Sequence, residues 1–595
     1  MEVDGRGLKR KPEEQLMPDG DERMVAQLVE ETRERYLMNM HESGTEHPVC
    51  EEPVLEIPWE VFLDDISGEV LDPEGVRKAR IEEIGFVEGM GVWKPVPRPK
   101  DKKVIGTRWV DTNKGDKLKP NLRSRLVAQE LKRGSMEEYF AAMPPLSALR
   151  TLMTLAVTES NRDLNGNWTR KTDRQFLSFV DIKRAHFCSK ATRELYVELP
   201  PEAGYGPDIV GRLLKSMYGC RDAGMNWELE VRRVMKKLGF IQGLSSPCMY
   251  YHPTRGIRSV VHGDDFTSLG TKEHLKWFHE SLQKEWTITI RGLLGPPGTE
   301  GTQRSISILN RLVSWESEGI TWEGDPRHAE ILIRELGVTG TRVKTPSTKD
   351  RQPEGDDEEP LHPDQAKAYR SLAMRASYLG SDRPDIQQAC RELAKGMSSP
   401  TQAHWKALKR MGRFLKHRPR LVQHFRNQKS ITDLEVWCDA DHAGCVGTRK
   451  STTGCVILLG TSTTKTFCRG QGMISLSSGE AEYYGLVSAT AEALGEASLL
   501  KGWGIKVGVQ IYMDATAGIS LGSRRGLGRA KHIDTLFLWV QEYVTKGKIK
   551  IGKKHTSEML ADFLTKSVPE NVIIKALNEM GYKYEEGQHE LALRV

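Results

Sequence analysis

At 595 residues the chain is too long for one hydrophobic core and points to three or four domains. Its composition, 38% hydrophobic and 28% charged, is that of a globular protein; no apolar run approaches the ~18 residues of a membrane span, and no basic-then-apolar start marks a secretory signal. Nine cysteines, an odd number with no C-x-x-C pair, fit a reduced compartment and argue against a zinc site.

The net charge of +6 is unevenly spread. Residues 1–75 carry 21 Asp/Glu against 7 Lys/Arg, so the rest of the chain is strongly basic, as contacts with phosphate require. The acidic leader is predicted to be partly disordered, with a helix near Asp21–Met40. Its Lys9-Arg10-Lys11-Pro12 patch reads as a nuclear localisation signal or as a solvated basic run. A helix around Ala79–Ile84 and Trp93 follow. Ile105–Val110 and Arg123–Ala128 then read as two strands around a connecting loop. Arg123 and Arg125, two positions apart, share a strand face, and a planar guanidinium suits bidentate contact with phosphate. The plain alternative is an exposed basic hairpin.

Pro145–Arg150 leads into an apolar helix, and Leu177–Asp181 reads as a strand ending in a carboxylate. In Val260-Val261-His262-Gly263-Asp264-Asp265-Phe266, Gly-Asp-Asp interrupts apolar runs as a tight hairpin turn does. Adjacent Asp264 and Asp265 repel unless a cation sits between them. An isolated Asp-Asp pair is more often a solvated turn, but with Asp181 three carboxylates converge and could hold two Mg²⁺ ions. Residues 291–303, rich in Gly and Pro, are predicted to be an irregular surface loop, and Asp350–Pro360 an acidic linker. The basic helix from Ala403 to Leu415 would track a nucleic-acid backbone or present a solvated face.

In the C-terminal third, carboxylates recur in a fixed order: Asp439 after a strand, Glu482 in a helix, Asp514 after a strand, Asp562 in a last helix. Ser477 or Ser478 is the N-cap that places Glu482 in the first turns. Glu480 competes with Glu482, and Asp441 with Asp439.

Glu194–Pro200, the stretch Leu214-Lys215-Ser216-Met217-Tyr218-Gly219 through Trp227, the Asp181 and Asp264-Asp265 sets, Leu476–Tyr484 and Arg529–Asp534 together resemble the reverse transcriptase and RNase H portion of copia-type (Pseudoviridae) LTR retrotransposon Pol polyproteins. The resemblance runs from Val76 to Ser567. It implies an α+β multidomain chain, a right-hand reverse transcriptase (fingers, palm, thumb) followed by an RNase H-like mixed-sheet α/β domain. The expected boundaries are a leader at 1–75, fingers and palm at 76–290, thumb and connection at 291–430, RNase H at 431–567 and a tail at 568–595. No aspartic protease motif, zinc pair or integrase region is legible, so upstream parts of a polyprotein are expected to be missing.

The implied function is RNA-directed DNA synthesis with degradation of the copied RNA. Asp181, Asp264 and Asp265 would hold two Mg²⁺ at the polymerase site, and Asp439, Glu482, Asp514 and Asp562 two more at the nuclease, with Mn²⁺ as the substitute. Arg123, Arg125, His186 and Asp222 fall at nucleotide-binding positions, Lys531 and His532 at substrate-binding ones, and His555 near the place of a mobile histidine that assists product release. The implied partners are an RNA template, a DNA primer, their hybrid, dNTPs and other element-encoded proteins, with no membrane, in the cytoplasm or nucleus. The chain departs from the pattern where the family has Gln (Asp222), Pro (Gly224), an aromatic next to the palm turn (His262-Gly263) and an aromatic five residues after Asp181 (His186). These departures favour an alternative: a remnant that only binds nucleic acid, or one retaining only RNase H.

Overall fold

The computed structural model describes residues 61–592, apart from 66–67, 116–119, 132–138, 172, 349–354 and 529–530. The expectations for Lys9–Pro12, for a helix near Asp21–Met40 and for Arg529-Ala530 therefore lie outside the described residues. The chain forms two compact units, each made of two chain segments: residues 1–141 with 184–230, and 142–183 with 231–595.

In the first unit, helix Pro73–Gly89 starts at Asp72, whose carboxylate accepts the Gly75 N–H at 2.7 Å, with proline at the first helical position. Strands Thr107–Asn113 and Leu122–Ala128 form the expected antiparallel hairpin. A second, four-stranded sheet runs in the order Trp93–Pro97, Ile209–Leu213, Tyr196–Glu198, Val104–Ile105. Val87, Val92, Leu126, Phe187, Val197 and Met217, each fully buried, form its core.

Among the described residues the second unit holds four sheets, the smallest joining Gln428–Ser430, Thr158–Arg162 and Trp168–Arg170. A six-stranded antiparallel sheet runs Ile241–Gln242, Met249–His252, Ile257–His262, Asp265–Gly270, Phe176–Ile182, Ile288–Leu294. Next is a five-stranded antiparallel sheet: Ser305–Ile308, Arg311–Glu316, Gly319–Gly324, Arg420–Arg426, Tyr582–Glu585. Helices Arg327–Glu335, Pro363–Gly380, Pro384–Lys395 and Gln402–His417 pack around a separate core. The last sheet runs Ser462–Gly470, Thr452–Leu459, Asp433–Ala440, Gly508–Met513, Lys550–Lys553, antiparallel on one side of Asp433–Ala440 and parallel on the other.

Three expectations are corrected. Residues 291–294 are not loop: they complete strand Ile288–Leu294, because Gly292, Leu293 and Leu294 pair with strand Phe176–Ile182, so a palm ending at 290 cuts a sheet in two. Residues 568–595 are not simply a tail. Helix Glu570–Glu579 buries Ile573, Ala576 and Leu577 against Leu421, Trp437 and Val456, and strand Tyr582–Glu585 closes the five-stranded sheet. Finally, the six-stranded sheet and the last, mixed sheet share one compact unit, where the resemblance implies a palm and a following RNase H-like domain. One apolar cluster runs from Leu177, Phe179 and Val260 through Trp315 and Trp322 to Val436, Ile457, Tyr483 and Trp503.

Candidate active sites

The palm turn forms as its sequence dictates. Strands Ile257–His262 and Asp265–Gly270 are joined by Gly263-Asp264, with Gly263 at φ +62°. Glycine takes that angle without penalty, and a two-residue turn of this kind matches the twist of the flanking strands. Asp265 is the direct ladder partner of Asp181, and the Asp264 carbonyl accepts the Ile182 N–H at 2.9 Å. The three residues thus sit at one end of the sheet, on strand Phe176–Ile182 and the turn beside it, without all three carboxylates closing to within 4.8 Å of one another.

A cation is already there. Arg291 donates to Asp181 Oδ1 at 2.5 Å, and its guanidinium lies 3.2 Å from Asp265 Oδ1. Burial pushes the Asp265 carboxyl up to about 6, against the opposing pull of Arg291. Arg291 carried no signal in sequence, since it fell in the stretch expected to be loop.

Of the nucleotide-position residues, three are brought together within the first unit. Arg125 lies 5.2 Å over the Tyr218 ring, and His186 meets the same ring edge-on at 4.8 Å. Arg123 shares the Arg125 face of the strand and is exposed, while Ser124 between them is buried. Asp222 is corrected. Its side chain is buried, and its oxygens are taken by Arg193 at 2.6 Å, Thr192 at 3.2 Å and Asn226 at 3.1 Å. Arg193 is held in turn by Glu130, so the Asp222 carboxylate is engaged within the protein.

At the second site, Ser477 caps helix Ser478–Gly502 by accepting the Glu480 N–H, which sets Glu482 in the second turn. Asp439 ends strand Asp433–Ala440, and Asp514 directly follows strand Gly508–Met513. Oxygens of Asp439, Glu482 and Asp514 lie within 4.8 Å of one another. The competitors are engaged elsewhere: Asp441 accepts from Thr452, and Glu480 from Leu476 N–H, Tyr484 OH and His532.

Electrostatics marks this cluster. Burial, then the charges of Asp439 and Asp514, pushes Glu482 up to about 9, and burial raises Asp439 to about 6. Glu482 Oε2 is buried with no hydrogen-bond partner among the described residues. An orphaned carboxylate oxygen beside two more carboxylates is the donor set of a hard divalent cation, so the residues present fit the implied metal.

Asp562 stands apart from this trio. It opens the short helix Asp562–Thr565, pairs with Lys566 at 2.5 Å, and reaches the cluster through Thr565, whose hydroxyl donates to Asp439. His532 Nε2 lies 2.8 Å from Glu480, and Lys531 is exposed beside it. His555 caps the turn Thr556–Glu558, and Thr556 next to it donates to Asp514 at 2.8 Å.

Comparison with known proteins follows this geometry. A family described as "Reverse transcriptase (RNA-dependent DNA polymerase)" matches residues 90–294. The retrovirus-related Pol polyprotein from transposon TNT 1-94 of Nicotiana tabacum is 26% identical over 518 residues, covering 83% of this chain and 37% of that protein. The chain is similar over most of its length to the Pol polyproteins of copia-type retrotransposons. The Pol polyprotein from transposon RE2 of Arabidopsis thaliana is 27% identical over 524 residues, covering 82% of this chain and 33% of that protein. The chain thus spans about a third of the length of these curated relatives. Among solved structures, a foamy viral protease-reverse transcriptase in complex with an RNA/DNA hybrid is similar with a TM-score of 0.44 and 12% identity, covering 84% of this chain and 55% of that one. No helix among the described residues is long and apolar enough to cross a membrane.

Proposed function

We propose that the chain is an RNA-directed DNA polymerase joined to a ribonuclease H. The reading is supported above all by the presence of two separate carboxylate sets, one at the turn of an antiparallel sheet and one at the centre of a mixed sheet. Mg²⁺, held by Asp181, Asp264 and Asp265 or by Asp439, Glu482 and Asp514, would supply a Lewis acid and an activated oxygen nucleophile for attack at phosphorus. Asp562 completes the second set from its neighbouring helix. Arg123 and Arg125 offer guanidinium groups to the phosphates of a dNTP, and Lys531 and His532 contact the hybrid. Template, primer and hybrid are the partners that this chemistry requires.

The test is primer extension on an RNA template with Mg²⁺, run beside cleavage of an RNA–DNA hybrid. Asp264→Asn is expected to abolish extension and spare cleavage, and Asp514→Asn to do the reverse. Equal loss of both activities in either variant would sink the two-site assignment. A second reading, in which only the nuclease survives, is favoured by the sequestration of Asp222; it requires hybrid cleavage by a wild type that does not extend.

A further inference from the structure

Arg291 is the extra residue of a β-bulge. Ile290 pairs with Val180 and Gly292 with Phe179, so Arg291 has no ladder partner of its own. A bulge re-aims the side chain it carries, and here the guanidinium is directed between Asp181 and Asp265, at 2.5 and 3.2 Å. Among the described residues no other Lys or Arg is within 4.0 Å of these carboxylates. The Arg291 side chain is 39% exposed and the two carboxylates 23% and 22%, so the ion pair is open to solvent on one side. Both contacts are made by Nη2, which hydrogen-bonds Asp181 and lies in ion-pair range of Asp265, so a positive charge faces one oxygen of each carboxylate where a hard cation would coordinate.

We propose that Arg291 is a built-in competitor for divalent cations at the palm: it bridges Asp181 and Asp265 in the metal-free protein and must be displaced to solvent before a metal ion can bind. The proposal rests on reading Asp181, Asp264 and Asp265 as cation ligands. Two consequences follow. The metal-free palm is held together by the guanidinium in place of the cation that the three carboxylates otherwise require, and the affinity for metal is set below what the carboxylates alone would give.

The probe is Mn²⁺, titrated into the full chain and followed by the loss of the free-ion paramagnetic resonance signal. All samples carry Glu482→Gln and Asp514→Asn, so that binding reports on the palm. Arg291→Gln is expected to tighten Mn²⁺ binding by about three- to tenfold, the size of a partly exposed ion-pair competition. Arg291→Lys, which keeps the charge on a shorter reach, should fall between Gln and wild type. Asp264→Asn is the control and should weaken binding. Unchanged or weaker binding in Arg291→Gln, with the Asp264→Asn loss intact, would overturn the competition and leave the metal site standing. No loss in Asp264→Asn would overturn both.

Discussion

Glu482 shows what one buried carboxyl does to stability. Its folded-state value of about 9 lies well above the ordinary carboxylate range near 4.3. The folded protein therefore holds a proton that the unfolded chain releases. The stabilisation is fully present below about pH 4.3 and is lost as pH rises through about 9. Glu482→Gln removes that loss while keeping the shape. At pH 7.5 the metal-free variant is expected to be more stable than wild type by on the order of 1–3 kcal/mol, with the gap closing near pH 4. Urea unfolding at the two pH values measures this, and equal stability at pH 7.5 would refute it. Asp222 carries the opposite lesson at this scale. The resemblance puts it at a nucleotide-binding position, yet its carboxylate is engaged by Arg193, 29 positions upstream, which Glu130 holds in turn. Nothing in the local sequence announces such a pairing.

At the scale of elements, the short helix Asp562–Thr565 reaches the cluster because of what lies beneath it. Gly454, the ladder partner of Asp439, has no side chain; a Cβ there would meet Ala561 O, Leu564 Cβ and Thr565 Cγ2, each at 2.9 Å. Gly454→Ala is expected to lift the helix, break the Thr565–Asp439 hydrogen bond, and lower hybrid cleavage by about ten- to a hundredfold while leaving extension intact. Parallel assays of the two activities check it. Those elements whose signal is local were legible in the sequence: the Gly263-Asp264 turn, the Ser477 cap, and strands ending in Asp181, Asp439 and Asp514. Elements whose fate depends on distant backbone were not. Strand Ile288–Leu294 looks like loop because Gly292 and the Pro-Gly run beyond it carry breaker signals, and pairing with Phe176–Ile182 overrides them. The helix Gln402–His417 offers a basic face, but Lys406 turns to Asp357, Arg410 to Thr345 and Lys416 to the Val338 carbonyl. That face is therefore largely committed to the protein itself.

For the molecule as a whole, the decisive feature is the apolar cluster that runs unbroken beneath the palm, the five-stranded sheet and the nuclease-like sheet. Trp503, fully buried in it, also offers its carbonyl to Arg258 of the palm sheet at 3.2 Å. Trp503→Ala is expected to cost about 3–5 kcal/mol and to lower the thermal midpoints of extension and hybrid cleavage together. Loss of one activity well before the other would mean that the two sites unfold independently. The shared core has a further consequence. On the proposed function, a duplex engaged at both centres would meet a caliper whose jaws are set by packed side chains and not by a hinge. The count of base pairs between the growing DNA end and the cut in the RNA then becomes a constant of the protein, the same on every template it copies.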